Sequence, residues 1–469
     1  MEHLIILALS TLVIFFLMFL IWVKTREISF IFGLLIVFLF TIMGGWVITI
    51  DLLFDNICSK YGFNYYYLFD KMFPVSLDGD YLMAIVFYSL FVIFIELAIL
   101  IFVVGKKKNP GLGLKFSPYF FSHWRLIFFV VIFTFSSFFI MRDFLIEAIS
   151  SGTSAYFLTR YSTDRIPFYT IHQIFIRMAL FPLSVGIAVY LSGKRGKYFL
   201  GRSGYLIFFG YAVISSVIVA YAALLGNRNE LVGAAIIGFL FYIVNVKKIS
   251  KIGFLAAFIG VITAVGVIGI IRGSNPSSYL ASIRPGTLAN GLVSILTTNE
   301  IFAAHLSMYG ALHYDIPLVY GYSFVSLVSS IVPSDLWPDR PQNIYWHYFN
   351  HINAVPGQGY VIHHATGWYL NFGLIGIIAG AVLIGWLWAK CFNNRALIRR
   401  GRYFIYNVSA ILAPTLFISA IPTLMRCGLE SYKAVALEHF LFPILIVAFS
   451  IKQNKWLDLK LDGNLSRDV

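Results

Sequence analysis

Arg177, Arg228, Arg272 and Arg426 stand inside or immediately beside long apolar runs, where an unpaired guanidinium is costly. A guanidinium stays charged and holds phosphate or carboxylate through two parallel hydrogen bonds. Arginines gathered from separate segments would seat an anionic ligand. Groups able to move a proton lie close by in the chain. Glu230 follows Arg228 by two positions, Glu438 and His439 stand inside the last apolar run, and His363 and His364 adjoin another. A general base needs a pKa near working pH, so His364 is the first choice for deprotonating an attacking hydroxyl. His363 is the second, with Glu230 and Glu438 as alternatives. Each residue also has a plainer reading. An arginine snorkels to headgroups or pairs locally, as Arg228 could with Glu230; a buried histidine is a hydrogen-bonder; Glu438 with His439 fits a structural pair.

What must position these residues is a series of apolar runs. The chain has 469 residues, 59% hydrophobic, 18% aromatic and only 12% charged, roughly half the charged fraction of a soluble protein. We place eleven spans: Leu4–Val23, Phe30–Leu52, Tyr81–Val104, Leu126–Met141, Ile171–Leu191, Tyr205–Leu225, Leu231–Val246, Ile252–Ile271, Thr366–Ala389, Tyr403–Leu424 and Val435–Ile451. Their lengths approach the ~20 residues that cross a ~30 Å hydrocarbon layer. Backbone groups in hydrocarbon must bond within their own segment, so runs this uniformly apolar are helices rather than barrel strands. The expected fold is an all-α polytopic membrane protein, one integral membrane domain over residues 1–469. Leu4–Val23 has no basic flank before it and no small-residue cleavage site, so it reads as a retained span. Cys58 and Cys427 fall on one side and could pair, but three cysteines in all make no disulfide framework, and we read free thiols.

Charge orients the spans. Loops holding Lys24 and Arg26, Lys106–Lys108, Lys194–Lys197, Lys247–Lys251 and Arg395–Arg402 are separated by even numbers of spans, so they share a side, which the positive-inside rule makes cytoplasmic. With the tail from Lys452, that side carries 23 Lys+Arg against 4 Asp+Glu, and the outer side 11 against 15. The N-terminus is then outside and the C-terminus inside. The net charge of +14 is thus a topology signal whose partner is membrane lipid, with no nucleic acid implied. Cytoplasmic basics are mostly lysine, 14 of 23, whereas outer basics are mostly arginine, 8 of 11: Arg142, Arg160, Arg165, Arg228, Arg272, Arg284, Arg340 and Arg426. Arg228, Arg272 and Arg426 sit where spans emerge on the outer side, and Arg177 lies about 9 Å inside the fifth span by helical rise from Ile171. Converging arginines around an anionic ligand explain this set best.

The long outer segment, residues 272–365, is the other asymmetry, since connections of this length carry function or their own structure. Its apolar part, Ile316–Val332, tempts a twelfth span but would break the charge parity of every later loop, so a re-entrant or interfacial element is expected. Trp337, Trp346, Trp368, Tyr369 and several further Tyr and His residues supply faces for sugar rings, or an interfacial aromatic belt. His347 and His351 have zinc-compatible spacing without a His-Glu-x-x-His context, and Asp78 and Asp80 read as an acidic solvated loop; no metal or cofactor is expected. The absence of a phosphate-binding Gly-Lys-Ser/Thr loop leaves ATP-driven transport unsupported, and no internal repeat suggests a carrier built from inverted halves.

The stretch Pro333-Ser-Asp-Leu-Trp337-Pro338-Asp-Arg340-Pro341, then Pro356-Gly-Gln-Gly359, His364 and Tyr369-Leu-Asn371-Phe-Gly373-Leu-Ile-Gly376, resembles the oligosaccharide repeat unit polymerase (Wzy-type) family. Gly226-Asn-Arg228-Asn-Glu230-Leu resembles that family's earlier arginine element, and Arg426-Cys-Gly428 its closing arginine. Where the family often has an acidic residue before the Tyr-x-Asn, this chain has Thr366 and Gly367, so no carboxylate role is carried over there. The resemblance covers residues from about Ala222 to Pro443 and implies a GT-C-like membrane glycosyltransferase in a bacterial cytoplasmic (inner) membrane. Its substrate would be an undecaprenyl-diphosphate-linked oligosaccharide at the extracytoplasmic face, and a chain-length regulator would be a further partner. Arg177, Arg228, Arg272, Arg284, Arg340, Arg426, Trp337, Tyr369 and Asn371 would bind pyrophosphate and sugar. An O-antigen ligase-type enzyme is the nearest alternative, and a flippase or carrier of lipid-linked sugars the alternative from another class.

Overall fold

Runs of Leu, Ile, Phe and Val leave the backbone no water to bond to, and the chain answers with helices throughout. The computed structural model describes residues 1–54, 75–105, 121–150, 169–193, 202–224, 228–245, 300–332, 337, 339–341, 343–352, 361–394, 404–426, 428–429 and 431–451. In chain order the helices are α1 (Glu2–Thr25), α2 (Ile28–Thr41), α3 (Met43–Leu53), α4 (Gly79–Phe102), α5 (His123–Ser150), α6 (Tyr169–Gly193), α7 (Arg202–Leu224) and α8 (Arg228–Asn245). They continue with α9 (Glu300–His313), α10 (Tyr322–Ser329), α11 (Ile344–His351), α12 (His364–Asn393) and α13 (Phe404–Arg426). A broken final helix follows: α14 (Ser431–Ala434), a π-helical turn Val435–Leu441, and α15 (Phe442–Phe449).

Among the described residues nine helical stretches are long and apolar enough to cross a membrane, and no strand forms beyond one isolated bridge between Phe121 and Ile451. The nine coincide with nine of the expected spans. Leu231–Val246 corresponds to α8, whose apolar part, Glu230–Ile243, is shorter. Ile252–Ile271 lies outside the described residues, as do Arg272, Arg284, Arg160, Arg165, Cys58 and Cys427. The protein is an all-α, multi-pass membrane protein. Its outer helices show lipid what a soluble protein would hide: Leu9, Leu12 and Phe16 of α1 are all exposed.

Two apolar cores share α13 as a wall. One gathers α1–α4, α9, α12 and the later part of α13; the other gathers α5–α8, the earlier part of α13 and α15. α4 and α12 pack most closely where Gly385 meets the backbone carbonyl of Ile95, an approach that any side chain at 385 would block. The long segment 272–365 is not one surface loop. Its α9 packs inside the bundle against α2, α3, α4 and α12, with Ala304, His305, Ser307 and Tyr309 buried. Residues 316–332 form no twelfth span, because α10 has only eight residues.

α12 loses helical geometry at Phe372 and Gly373, where φ of +61° favours glycine, and the carbonyl of Leu370 accepts the Val319 N–H at 2.7 Å. Pro182 lies inside α6, and Pro414 and Pro422 inside α13, each without an N–H to donate to the preceding turn.

Candidate functional site

Arg177, two turns into α6, is held from two other helices. Its Nη2 donates to Glu230 Oε1 at 2.9 Å, and its Nη1 donates to Glu438 Oε2. All three side chains are nearly withdrawn from solvent, Arg177 at 14% exposure. Local sequence sets each position. Glu230 lies in the first turn of α8, where a carboxylate suits the positive end of the helix dipole. Glu438 lies in the π-helical turn, a widened geometry that recurs at functional sites and turns side chains off the ordinary helical register. Arg426, the last residue of α13, is close enough to act electrostatically on Glu230. Two guanidiniums thus face two carboxylates, and the group is balanced. Removing one member of such a buried set strands charge at a cost of ~3–5 kcal/mol.

Glu230 therefore pairs with an arginine 53 positions away in the chain. Arg228 begins α8, and its side chain is outside the described set. Glu438 and His439 do not pair with each other. His439 is 3% exposed, both ring nitrogens lack a hydrogen-bond partner among the described residues, and the ring lies 4.9 Å from that of Phe181. Beside this group, Lys433 Nζ donates to Ser330 O at 2.5 Å and Arg340 Nη1 donates to Val332 O at 2.8 Å. Lys433 is in electrostatic range of both Glu438 and Arg340, so the cations extend outward from the buried network.

A second polar cluster surrounds the start of α12. His363 caps that helix: Nδ1 accepts the Ala365 N–H at 3.1 Å, which leaves the proton on Nε2 to reach Thr41 Oγ1 at 3.2 Å. His364 Nε2 accepts from Trp368 Nε1 at 3.1 Å and meets Tyr432 OH at 3.0 Å, so Nδ1–H donates to Gly428 O at 2.9 Å. Both rings are fully buried. In this arrangement neither histidine has a lone pair left for a sugar hydroxyl, and the geometry is that of structural hydrogen-bonders. Tyr88 lies between His363 and His305 and bonds to Ala304 O, Ser307 and Thr366. His305 donates from Nδ1 to Thr41 O at 3.0 Å, its ring seated against Gly44 and Gly45.

The aromatic candidates divide. Trp368 is buried and committed to His364, so it acts neither as belt nor as sugar platform here. Tyr369 packs on Phe87 and is half-buried, while Trp337 is 44% exposed. Asn371 is buried, with Nδ2 donating to Ser323 Oγ and Gly367 O; it ties α10 to α12. Sequence reasoning passed over Tyr432, Lys433 and His305. The first two follow Arg426 by six and seven positions and were open to notice on proximity alone; His305 carries no motif.

The Asp78–Asp80 pair meets His313, with carboxylate oxygens and imidazole nitrogen within 4.8 Å of one another, a grouping compatible with a cation. Asp78 is already engaged as the cap of α4, accepting from Tyr81 N–H at 2.9 Å, Ser76 Oγ at 2.6 Å and Tyr309 OH at 3.0 Å. Burial pushes its carboxyl up, but those three hydrogen bonds and nearby His313 outweigh burial and hold it below the usual carboxylate value. The chain matches no known protein family, no curated protein and no solved structure in comparisons with each.

Proposed function

We propose that this protein is a GT-C-like membrane glycosyltransferase that polymerises undecaprenyl-diphosphate-linked oligosaccharide units at the outer face of a bacterial inner membrane. One observation carries the reading. Arg177, Glu230 and Glu438, from three separate segments of the chain, form one buried ion-paired network, and Arg426 of a fourth segment is close enough to act on Glu230. Glu230 and Arg426 belong to two of the elements that resemble the polymerase family.

The chemistry follows from that network. A lipid diphosphate reaching Arg177 competes with Glu230 and Glu438 for the guanidinium, and each carboxylate it displaces becomes an acceptor for a proton. The attacking hydroxyl oxygen of the acceptor sugar bonds to the anomeric carbon of the growing chain as the bond to the diphosphate breaks. The electron pair leaves with undecaprenyl diphosphate, the hydroxyl proton passes to the freed carboxylate, and the arginines stabilise the leaving charge. The proton acceptor is thus Glu230 or Glu438, in preference to His364 and His363, whose nitrogens are engaged. Ligation to a different acceptor would use the same chemistry; the Trp337-to-Pro341 stretch favours polymerisation.

The test is the glycan ladder from cells carrying Arg177→Ala, Arg426→Ala or Glu438→Gln at matched membrane expression. Single repeat units alone are expected, with extension reduced roughly a hundred- to a thousandfold. Arg→Lys should rescue poorly, because a lysine lacks the bidentate fork. Normal ladders from all the variants would leave the arginines as helix anchors and end the catalytic reading.

A further inference from the structure

α10 is an amphipathic helix with its polarity reversed. Ser323, Ser326 and Ser329 are buried against the protein, whereas Val325, Val328 and Ile331 on the opposite side are 54%, 67% and 60% exposed. The serine face is tied down by the Asn371–Ser323 hydrogen bond, and Phe324 packs against Trp368 and Phe372 of α12. Water would not favour such an outward face; hydrocarbon would. One turn beyond Phe372, Ile375 opens an apolar groove of about 510 Å³ along α12, lined by Ile378, Val382 and Trp386 among others.

The opposite end of α10 has the other half of an amphiphile's requirements. Lys433 and Arg340, from two different segments, both bond backbone carbonyls just past the helix, and each keeps further N–H groups. Beyond them lie Glu438 and Arg177. Cations at one end, then an exposed apolar face, then an apolar groove, make a path for a molecule with a multiply charged anionic head and a long flexible hydrocarbon tail. An ordinary phospholipid with one phosphodiester needs only one of these cations, and a second copy of the chain would bring a like-charged surface to them.

We propose that the exposed face of α10 and the α12 groove dock the isoprenoid chain of a polyprenyl diphosphate, its head group passing Lys433 and Arg340 on the way to Arg177. This rests on the polymerase reading above and adds the route by which the carrier lipid reaches the site. The test uses full-length protein in phosphatidylcholine nanodiscs with two probes: a diazirine-tagged polyprenyl diphosphate and a diazirine-tagged phosphatidylglycerol. Peptide mapping after irradiation should find residues 322–332 and 375–386 labelled at least tenfold more by the isoprenoid probe. Paired Val325→Asn and Val328→Asn, with insertion checked by membrane yield and folding by unfolding temperature, should cut that labelling several-fold, as should Lys433→Gln with Arg340→Gln.

Equal labelling by both probes would reduce the surface to bulk lipid contact, and cross-links between copies would make it a dimer face; either overturns the proposal. Unchanged isoprenoid labelling in the Val325/Val328 variant, with chain extension intact, removes the docking surface and leaves the polymerase. Strong, selective labelling together with normal extension by the Arg177 and Arg426 variants removes the catalytic reading and leaves a polyprenyl-diphosphate site.

Discussion

Around His363 and His364, hydroxyls, carbonyls and imidazoles bond one another, and neutral groups complete neutral groups. Around Arg177, full charges from separate helices meet on an irregular backbone, with a π turn under Glu438 and Pro182 a little over a turn beyond Arg177. The two clusters are joined by the short connection from Arg426 to Lys433, which supplies Gly428 and Tyr432 to one and borders the other. A neutral network whose donors and acceptors are matched gains nothing by opening. A buried ion-paired one holds guanidinium donors that an incoming phosphate can claim, and the displaced carboxylate is left as a base. The proposed function rests on this difference.

The sharpest break comes from Arg177→Ala, which leaves Glu230 and Glu438 buried without their common partner. Beyond the loss of extension, unfolding in detergent should show a loss of ~3–5 kcal/mol; unchanged stability would mean the carboxylates are hydrated and the network loose. Next is His364. His364→Ala strands Trp368 Nε1 and Gly428 O and should cost ~1–3 kcal/mol, whereas His364→Gln, which can both donate and accept, should fold and keep extending glycan with an unaltered pH profile. A folded but inactive His364→Gln would move the chemistry into the histidine cluster and overturn the comparison.

Carboxylates in the histidine half refine it further. Asp78→Ala removes the cap of α4 and should destabilise by ~1 kcal/mol. Because the folded pKa of Asp78 is held below its unfolded value, its contribution is present above the unfolded pKa of ~3.9 and is lost as pH falls through the folded value. The stability difference between wild type and Asp78→Asn should therefore shrink in acid and be constant from pH 6 to 8, followed by fluorescence-detected unfolding. The smallest effect is expected at Glu96, a fully buried residue of α4 with neither oxygen hydrogen-bonded among the described residues. Glu96→Gln forfeits no bond and should leave the unfolding temperature unchanged or raised, in contrast to Glu438→Gln; a large drop would reveal a functional partner for Glu96.

Hydropathy alone located the membrane helices, because in hydrocarbon a long apolar run has one way to satisfy its backbone, whatever its neighbours do. The same reasoning marked Arg177 and Glu438, since a charge inside such a run needs a reason to be there. Which charges meet was beyond it. Glu230 bonds Arg177 of another helix, a pairing made by how α6, α8 and the last helix pack. Equally, nothing in the letters of residues 300–313 distinguishes a helix lying on the surface from one inserted among α2, α4 and α12; its apolar residues suit both. In α10 the spacing of serines and valines marks two faces, but only packing decides that the serines turn inward, where Asn371 waits, and the valines outward. His364 was chosen for its intrinsic pKa, a property of the side chain; its engagement by Trp368, Tyr432 and Gly428 is a property of the fold. Solvent preference is written residue by residue, whereas hydrogen-bond and ion pairing between distant segments depends on geometry that exists only once the helices are assembled.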